Sequence, residues 1–152
     1  MPTAIAKPPR KQHDSLPGAD PLDLEVRDVM TPGVVCMSET ASLRQAHRAL
    51  VVHGVHCVLV IGRNTGKPLG WVTARGLLGR ITQDRVSLDG DLRSAGDAIT
   101  HPPAAIQPSA TVREALTALA QPGISQLMVA TRPGLLPEGV LSDVDVIAAA
   151  GS

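Results

Sequence analysis

The sequence predicts an α+β fold made of two β-α-β-β-α repeats packed with pseudo-twofold symmetry, and three observations carry that prediction. Sliding the chain against itself by 69 residues aligns Asp28 to Leu78 with Asp97 to Ile147 without a gap, and 12 of the 51 pairs are identical. Self-similarity at one fixed offset is the mark of a duplicated unit. The identities also fall where backbone geometry is demanding: Gly54 meets Gly123, Gly70 meets Gly139, and Pro68 meets Pro137. Finally, helical spacing of apolar residues gives way to short apolar runs at the same places in both copies. A unit of about 50 residues cannot bury a good core alone, so the two copies are expected to pack together.

The elements follow in chain order. The opening "MPTAIAKPPRKQHDSLPGADP" holds four prolines in its first 17 residues and no apolar core. It reads as neither a signal peptide nor a regular element. Residues 1–21 are therefore expected to be a flexible tail, 22–82 the first repeat and 83–152 the second. In the second copy the first strand is entered through "ITHPPAAI". The first helix opens on a capping box, Ser42 with Gln45 and Thr111 with Glu114, in which the hydroxyl and the side chain three residues on satisfy each other's free amides. Leu43, Ala46 and Leu50, matched by Val112, Ala115 and Leu119, recur at helical spacing. Gly54 and Gly123 stand where a left-handed residue ends a helix. Apolar strands follow at Val58 to Ile61 and Leu127 to Ala130, then the turns "GRNTGKP" and "TRPGLLP", then strands at Leu69 to Val72 and Gly139 to Leu141. A second helix begins after Thr73 and after Ser142.

Composition narrows the function. The 152 residues are 43% hydrophobic and 18% charged, the balance of a globular protein. No apolar run reaches the length of about 18 residues that crosses a bilayer. With 14 basic and 14 acidic residues the net charge is zero, and with one Trp and no Phe or Tyr there is little for single-stranded nucleic acid to stack on. Neither nucleic acid nor membrane is expected as a partner. Cys36 and Cys57, in a chain without an export signal, read as reduced, buried residues of a cytoplasmic protein. A disulfide would need the fold to bring them together.

The duplicated pattern "VMTPGVVCMSETASLRQAHRALVVHGVHCVLVI…GWVTARGLL", with its second version ending "GVLSDVDVI", resembles the CBS domain, and the tandem copy resembles the CBS pair called a Bateman module. The likeness covers about residues 26–150. It implies two small three-stranded sheets packed through their faces with helices outside, two clefts between the halves that commonly bind adenine nucleotides or adenosyl derivatives, and frequent association into disc-like dimers. The family's ribose-phosphate signature runs Gly, two apolar residues, Ser or Thr, any two residues, then Asp. "GVLSDVD" satisfies it with Gly139, Ser142 and Asp145, whereas "GWVTARG" keeps Gly70 and Thr73 but has Gly76 in place of the acid. The chemistry is intelligible. Glycine lets backbone approach the ligand, a hydroxyl at a helix start reaches a phosphate beside free amides, and a carboxylate accepts from both ribose hydroxyls. Ser142 and Asp145 are equally a plain helix start in which hydroxyl and acid cap free amides.

The resemblance also implies that Thr100, Pro103 and Ala104 hold the adenine ring in the Asp145 cleft, although "HPP" can equally be a turn into a strand. Ser125 and its counterpart His56 lie in the helix-to-strand loop, where relatives often carry His or Arg towards the phosphates. The cleft of Thr73 and Gly70 is expected to be weaker. Arg44, Arg75, Arg80 and Arg113 read as solvated helix faces.

The stretch "HGVHC" suggests a metal or thiol site from His53, His56 and Cys57. The repeat pulls it apart, aligning His53 with Pro122 at a helix end, His56 with Ser125 in the loop and Cys57 with Gln126 in a strand. No H-E-x-x-H, C-x-x-C or G-x-S-x-G motif is present. The expectation is a regulatory module rather than an enzyme, with no catalytic or metal-ligating set and no required cofactor. It would bind AMP, ADP, ATP or an adenosyl derivative, form a homodimer and relay occupancy to an unidentified regulated protein. The alternative is a dimerisation or protein-interaction module whose nucleotide sites have degenerated.

Overall fold

The computed structural model describes residues 20–84, 94–132 and 136–151, with backbone only at 80–84. The expected tail up to residue 19 and the side chain of Arg80 lie outside the described residues. The regular elements are α1 (Val26–Val29), β1 (Thr31–Pro32), β2 (Cys36–Ser38), α2 (Leu43–His53), β3 (Cys57–Ile61), β4 (Pro68–Thr73), α3 (Ala74–Asp84), β5 (Ala105–Ile106), α4 (Val112–Leu119), β6 (Gln126–Val129), β7 (Gly139–Ser142) and α5 (Asp143–Ala150). Short 3-10 turns stand at Pro21–Asp23 and Ala95–Ala98. The class is the expected one, α+β with two repeats.

The chain forms two compact units, and their membership differs from the 22–82 and 83–152 division of the sequence. Among the described residues, the first unit holds 34–84 and 94–103, and the second holds 20–33, 104–132 and 136–151. Each repeat thus surrenders its lead-in segment to the body of the other. Asp20, placed in the expected tail, belongs to the folded second unit: it accepts from Leu22 N–H at 2.9 Å and from Arg113 Nη2 at 2.9 Å. Arg113, expected on a solvated face, also reaches Asp23 at 3.3 Å. These donors hold the Asp20 carboxyl below its ordinary range, the Leu22 amide most of all. All three side chains are largely exposed, so the pairs contribute little to stability.

In the first unit the sheet order is β2-β3-β4, with β2 parallel and β4 antiparallel to β3. In the second the order is β1-β7-β6-β5, so the expected three strands gain a fourth. The fourth strand comes from the exchanged lead-in: Thr31 pairs with Val140 and Pro32 with Gly139, and Gly33 N–H donates to Glu138 at 2.8 Å. The equivalent lead-in of the first unit makes only an isolated bridge, His101 with Trp71. The repeat explains the difference. Gly33 aligns with Pro102, which has no N–H to continue the ladder.

Both expected capping boxes form. Gln45 N–H donates to Ser42 Oγ at 3.1 Å while Ser42 N–H donates to Gln45 Oε1 at 2.9 Å, and Thr111 and Glu114 repeat the exchange at 3.1 Å in each direction. Gly54 ends α2 in the left-handed conformation with φ 60°. Gly123 is left-handed too, with φ 80°, but α4 has already stopped at Leu119. Pro122 stands where α2 has His53, and its ring and missing N–H forbid the last turn that α2 makes.

Each unit has its own core. Leu43, Ala46 and Leu50 pack on Val58, Val60, Val72 and Leu77 in the first, and Val112 and Ala115 pack on Leu127, Val129, Leu141 and Val146 in the second. Fully burying one such Val or Leu contributes about 1.5–3 kcal/mol. Because side chains alternate along a strand, Gln126 and Met128 lie on the sheet face opposite Leu127 and Val129.

Candidate functional site

The carboxylate of Asp145 organises the second unit's polar cluster. It is the third residue of α5 and only 4% exposed. Its Oδ2 accepts from Ser142 N–H at 2.9 Å and from the Ser142 hydroxyl at 3.1 Å, while Asp145 N–H donates back to Ser142 Oγ at 3.3 Å. Its Oδ1 accepts from the Thr31 hydroxyl at 3.2 Å. Thr31 pairs with Val140, Ser142 with Gln126, and Val140 lies two residues from Ser142. Thr31, Ser142 and Gln126 therefore project from one face of the sheet, at the end where α5 begins.

Packing within the second unit requires a glycine at 139. A Cβ on it would stand 2.6 Å from Thr31 O and 2.7 Å from Met30 Sδ. The chain's own lead-in makes this close approach, and it brings Thr31 to Asp145. The first turn of α5 carries its own caps. Val144 N–H donates to Asp143 Oδ1 at 2.8 Å and Asp145 N–H is taken by Ser142, so two carboxylates already occupy the first turn. An anion placed there would meet their charge as well as the helix dipole.

The first unit carries the counterpart with Gly76 in place of the acid. Thr73 is buried, accepts from Gly76 N–H at 3.0 Å, and lies 3.4 Å from Thr100 Oγ1. Thr100 in turn lies 2.8 Å from His101 Nδ1. Thr100 was expected beside Asp145; the structure instead seats it against Thr73, because the lead-ins are exchanged and Thr31 takes the Asp145 position. Pro103 ends this same unit, whereas Ala104 belongs to the second, where it packs against the core and its carbonyl accepts from Met128 N–H at 2.8 Å. A Cβ at Gly76 would stand 2.8 Å from Thr100 Cγ2, so a carboxylate could not be added without moving Thr100. Gly70 mirrors Gly139: its Cβ would stand 2.7 Å from His101 O and press on Ile99.

In the helix-to-strand loops, His56 is exposed, and its carbonyl accepts from Ala74 N–H at 2.9 Å. Ser125 is half-buried and donates to Gln126 Oε1. Gln126 is 6% exposed, and its Nε2 has no hydrogen-bond partner among the described residues. Sequence reasoning missed both Thr31 and Gln126. Thr31 could have been found from its alignment with Thr100 at the 69-residue offset, and Gln126 from being the polar residue of an otherwise apolar strand.

His53, His56 and Cys57 do not gather. Among the described residues no three of His, Cys, Asp and Glu come together as a metal site. Cys36 is a buried free thiol. Burial pushes the Cys36 thiol up to about 11, the opposite of what a nucleophile needs. Among the described residues, no helix is long and apolar enough to cross a membrane.

A CBS domain family model matches residues 26–83 and again 95–152, so the chain belongs to the CBS domain family, as a tandem pair. A CBS domain protein from Pyrobaculum aerophilum complexed with AMP superposes with a TM-score of 0.68 at 23% identity, covering 84% of this chain and 98% of that one. The CBS domain of a bacterial CNNM/CorC family Mg2+ transporter in complex with ATP gives 0.70 at 21% identity, covering 87% and 90%. Hypoxic Response Protein I with two coordinated zinc ions gives 0.64 at 18% identity, covering 82% and 98%. At these identities the likeness shows the shared fold. The sequence matches none of the curated proteins compared with it.

Proposed function

We propose that the protein is a non-catalytic, cytoplasmic regulatory module that binds an adenine nucleotide at the Asp145 cluster. The observation carrying this reading is the buried Asp145 carboxylate, held by Thr31 and Ser142 on one sheet face. A carboxylate so fixed can accept from both hydroxyls of a ribose, and Ser125 and Gln126 add polar groups on the adjoining strand and loop. Relatives in this fold are complexed with AMP and with ATP. The first unit's Thr73 and Gly70 form the weaker site, since Thr100 crowds Gly76. Binding biases a regulated partner only as far as it favours one arrangement of the module over another.

Calorimetric titration and thermal unfolding with AMP, ADP, ATP and S-adenosylmethionine test this. Ligand at 100 times its Kd should stabilise the protein by about 2.7 kcal/mol. Absence of heat and of any shift with all four ligands would sink the nucleotide reading. It would leave the interaction-module alternative, which the carboxylate-capped start of α5 and the crowded Gly76 favour.

The second proposal is that two copies associate. Leu78 on α3 and Ile147 on α5 are repeat equivalents and are 60% and 69% exposed, with Val144 at 52% one turn before Ile147. Exposed large apolar residues at matching positions in both repeats suit a second copy of this chain. Light scattering should give the dimer mass for the native protein and the monomer mass for Ile147→Asp; a monomeric native protein rejects the proposal.

A further inference from the structure

The net charge of zero hides a division of charge between the two units. Residues 34–103 carry eight basic and five acidic residues, a net charge of +3, whereas residues 20–33 and 104–152 together carry three basic and eight acidic ones, a net charge of −5. Part of the division lies on the helices. At the 69-residue offset Gln45 meets Glu114, Arg48 meets Thr117, Ala74 meets Asp143 and Arg75 meets Val144. All eight side chains are exposed, so these four positions make the helices of the first unit basic outward and those of the second acidic. α2 contains no acidic residue and α5 no basic one. Arg113, the one basic residue of α4, is already engaged by Asp20 at 2.9 Å and Asp23 at 3.3 Å.

The same helices leave apolar side chains in the open. α2 packs beside α3, and α4 beside α5. Val51, Val52 and Leu78 stand exposed on the basic pair, and Leu116, Val144 and Ile147 on the acidic pair. Apolar residues rimmed by charge of one sign suit a partner face of the opposite sign, because complementary charge fixes orientation and like charges oppose association. A second copy of the chain carries that complement. Under a twofold axis, the first unit of one copy on the second unit of the other implies the same contact in reverse, so both pairings set basic against acidic. A twofold dimer that paired like units would set basic against basic and acidic against acidic.

We propose that two copies associate antiparallel, the basic α2–α3 face of each first unit docking on the acidic α4–α5 face of the other copy's second unit. This rests on the self-association reading above and adds its orientation. The test is analytical ultracentrifugation of the full chain, reading the dimer dissociation constant of the native protein and of three variants. The first-unit variant is Arg48→Glu with Arg75→Glu. The second-unit variant is Glu114→Gln, Thr117→Arg and Asp143→Asn, in which glutamine and asparagine keep the helix-start acceptors. The third chain carries all five substitutions. Each one-unit variant should dimerise at least about tenfold more weakly than the native protein, and the five together should return to within about threefold of it. Raising NaCl from about 0.05 to about 0.5 M should weaken the native dimer, a reading that needs no variant to fold. Pairing of like units makes opposite demands: reversing one unit leaves the sign product at each contact unchanged, so dimerisation stays as it was, and salt tightens it. A native dimer that salt tightens, that the one-unit variants leave intact, or that the five substitutions fail to restore overturns the antiparallel arrangement and leaves self-association standing. A native protein that sediments as a monomer overturns both.

Discussion

Replacing Gly139 with alanine will destabilise the protein by about 3 kcal/mol, near the top of the range for overpacking a fitted interior. The new methyl would stand 2.6 Å from Thr31 O and 2.7 Å from Met30 Sδ. The methionine can swing aside; the Thr31 carbonyl cannot, because Thr31 and Pro32 are in register with Val140 and Gly139 in the β1–β7 ladder. Relief requires β1 to separate from β7, which also pulls the Thr31 hydroxyl from Asp145. The midpoint of thermal unfolding should fall by about 6–12 °C for a chain of this size. Gly54→Ala is the control. It has nothing within 4 Å of the new carbon and only its left-handed φ of 60° to oppose the change, so it should cost about 1 kcal/mol. If Gly139→Ala is no more harmful than Gly54→Ala, the lead-in is not packed as described.

The same lead-in shows where the sequence was legible. Gly70 and Gly139 announced a close approach, because glycine recurring at one repeat position implies a backbone with no room for Cβ. What approached could not be read: a ligand and a neighbouring strand make the same demand on the residue. The capping boxes and apolar stripes were legible because each is completed within a few residues along the chain. The exchange of lead-ins was not, because it is a choice between two nearly equivalent partners, Thr31 with one repeat or Thr100 with the other, and local preference is silent between them. Thr100 was read into the Asp145 cluster from the family resemblance, with 83–152 taken as one repeat. Gln126 was passed over because the strand pattern around it is satisfied by Leu127 and Val129, and only the structure shows its amide buried and half unpaired.

Asp145→Asn should separate the two roles this residue can hold. As a cap, the side chain needs one acceptor for Ser142 N–H and its hydroxyl, and the asparagine carbonyl supplies it; the amide end can donate to Thr31, whose hydroxyl rotates to accept. The loss is the charge assistance of those bonds and the carboxylate's attraction to the α5 dipole, about 1 kcal/mol together. As a ribose ligand, the side chain needs two acceptor atoms with negative charge behind them, and asparagine offers one without charge. Hydrogen bonds to charged groups contribute about 1.5–3 kcal/mol, so nucleotide affinity should fall about 10- to 100-fold while the fold is nearly intact. Asp145→Ala removes both roles. It leaves Ser142 N–H without its acceptor at a half-buried helix start, costing about 1 kcal/mol, and should abolish the nucleotide-induced shift in unfolding temperature. Chemical denaturation beside calorimetric titration of both variants reads the two effects separately. A site whose carboxylate served only the helix would show the reverse order: stability reduced in Asp145→Ala, and nucleotide affinity in Asp145→Asn equal to that of the native protein.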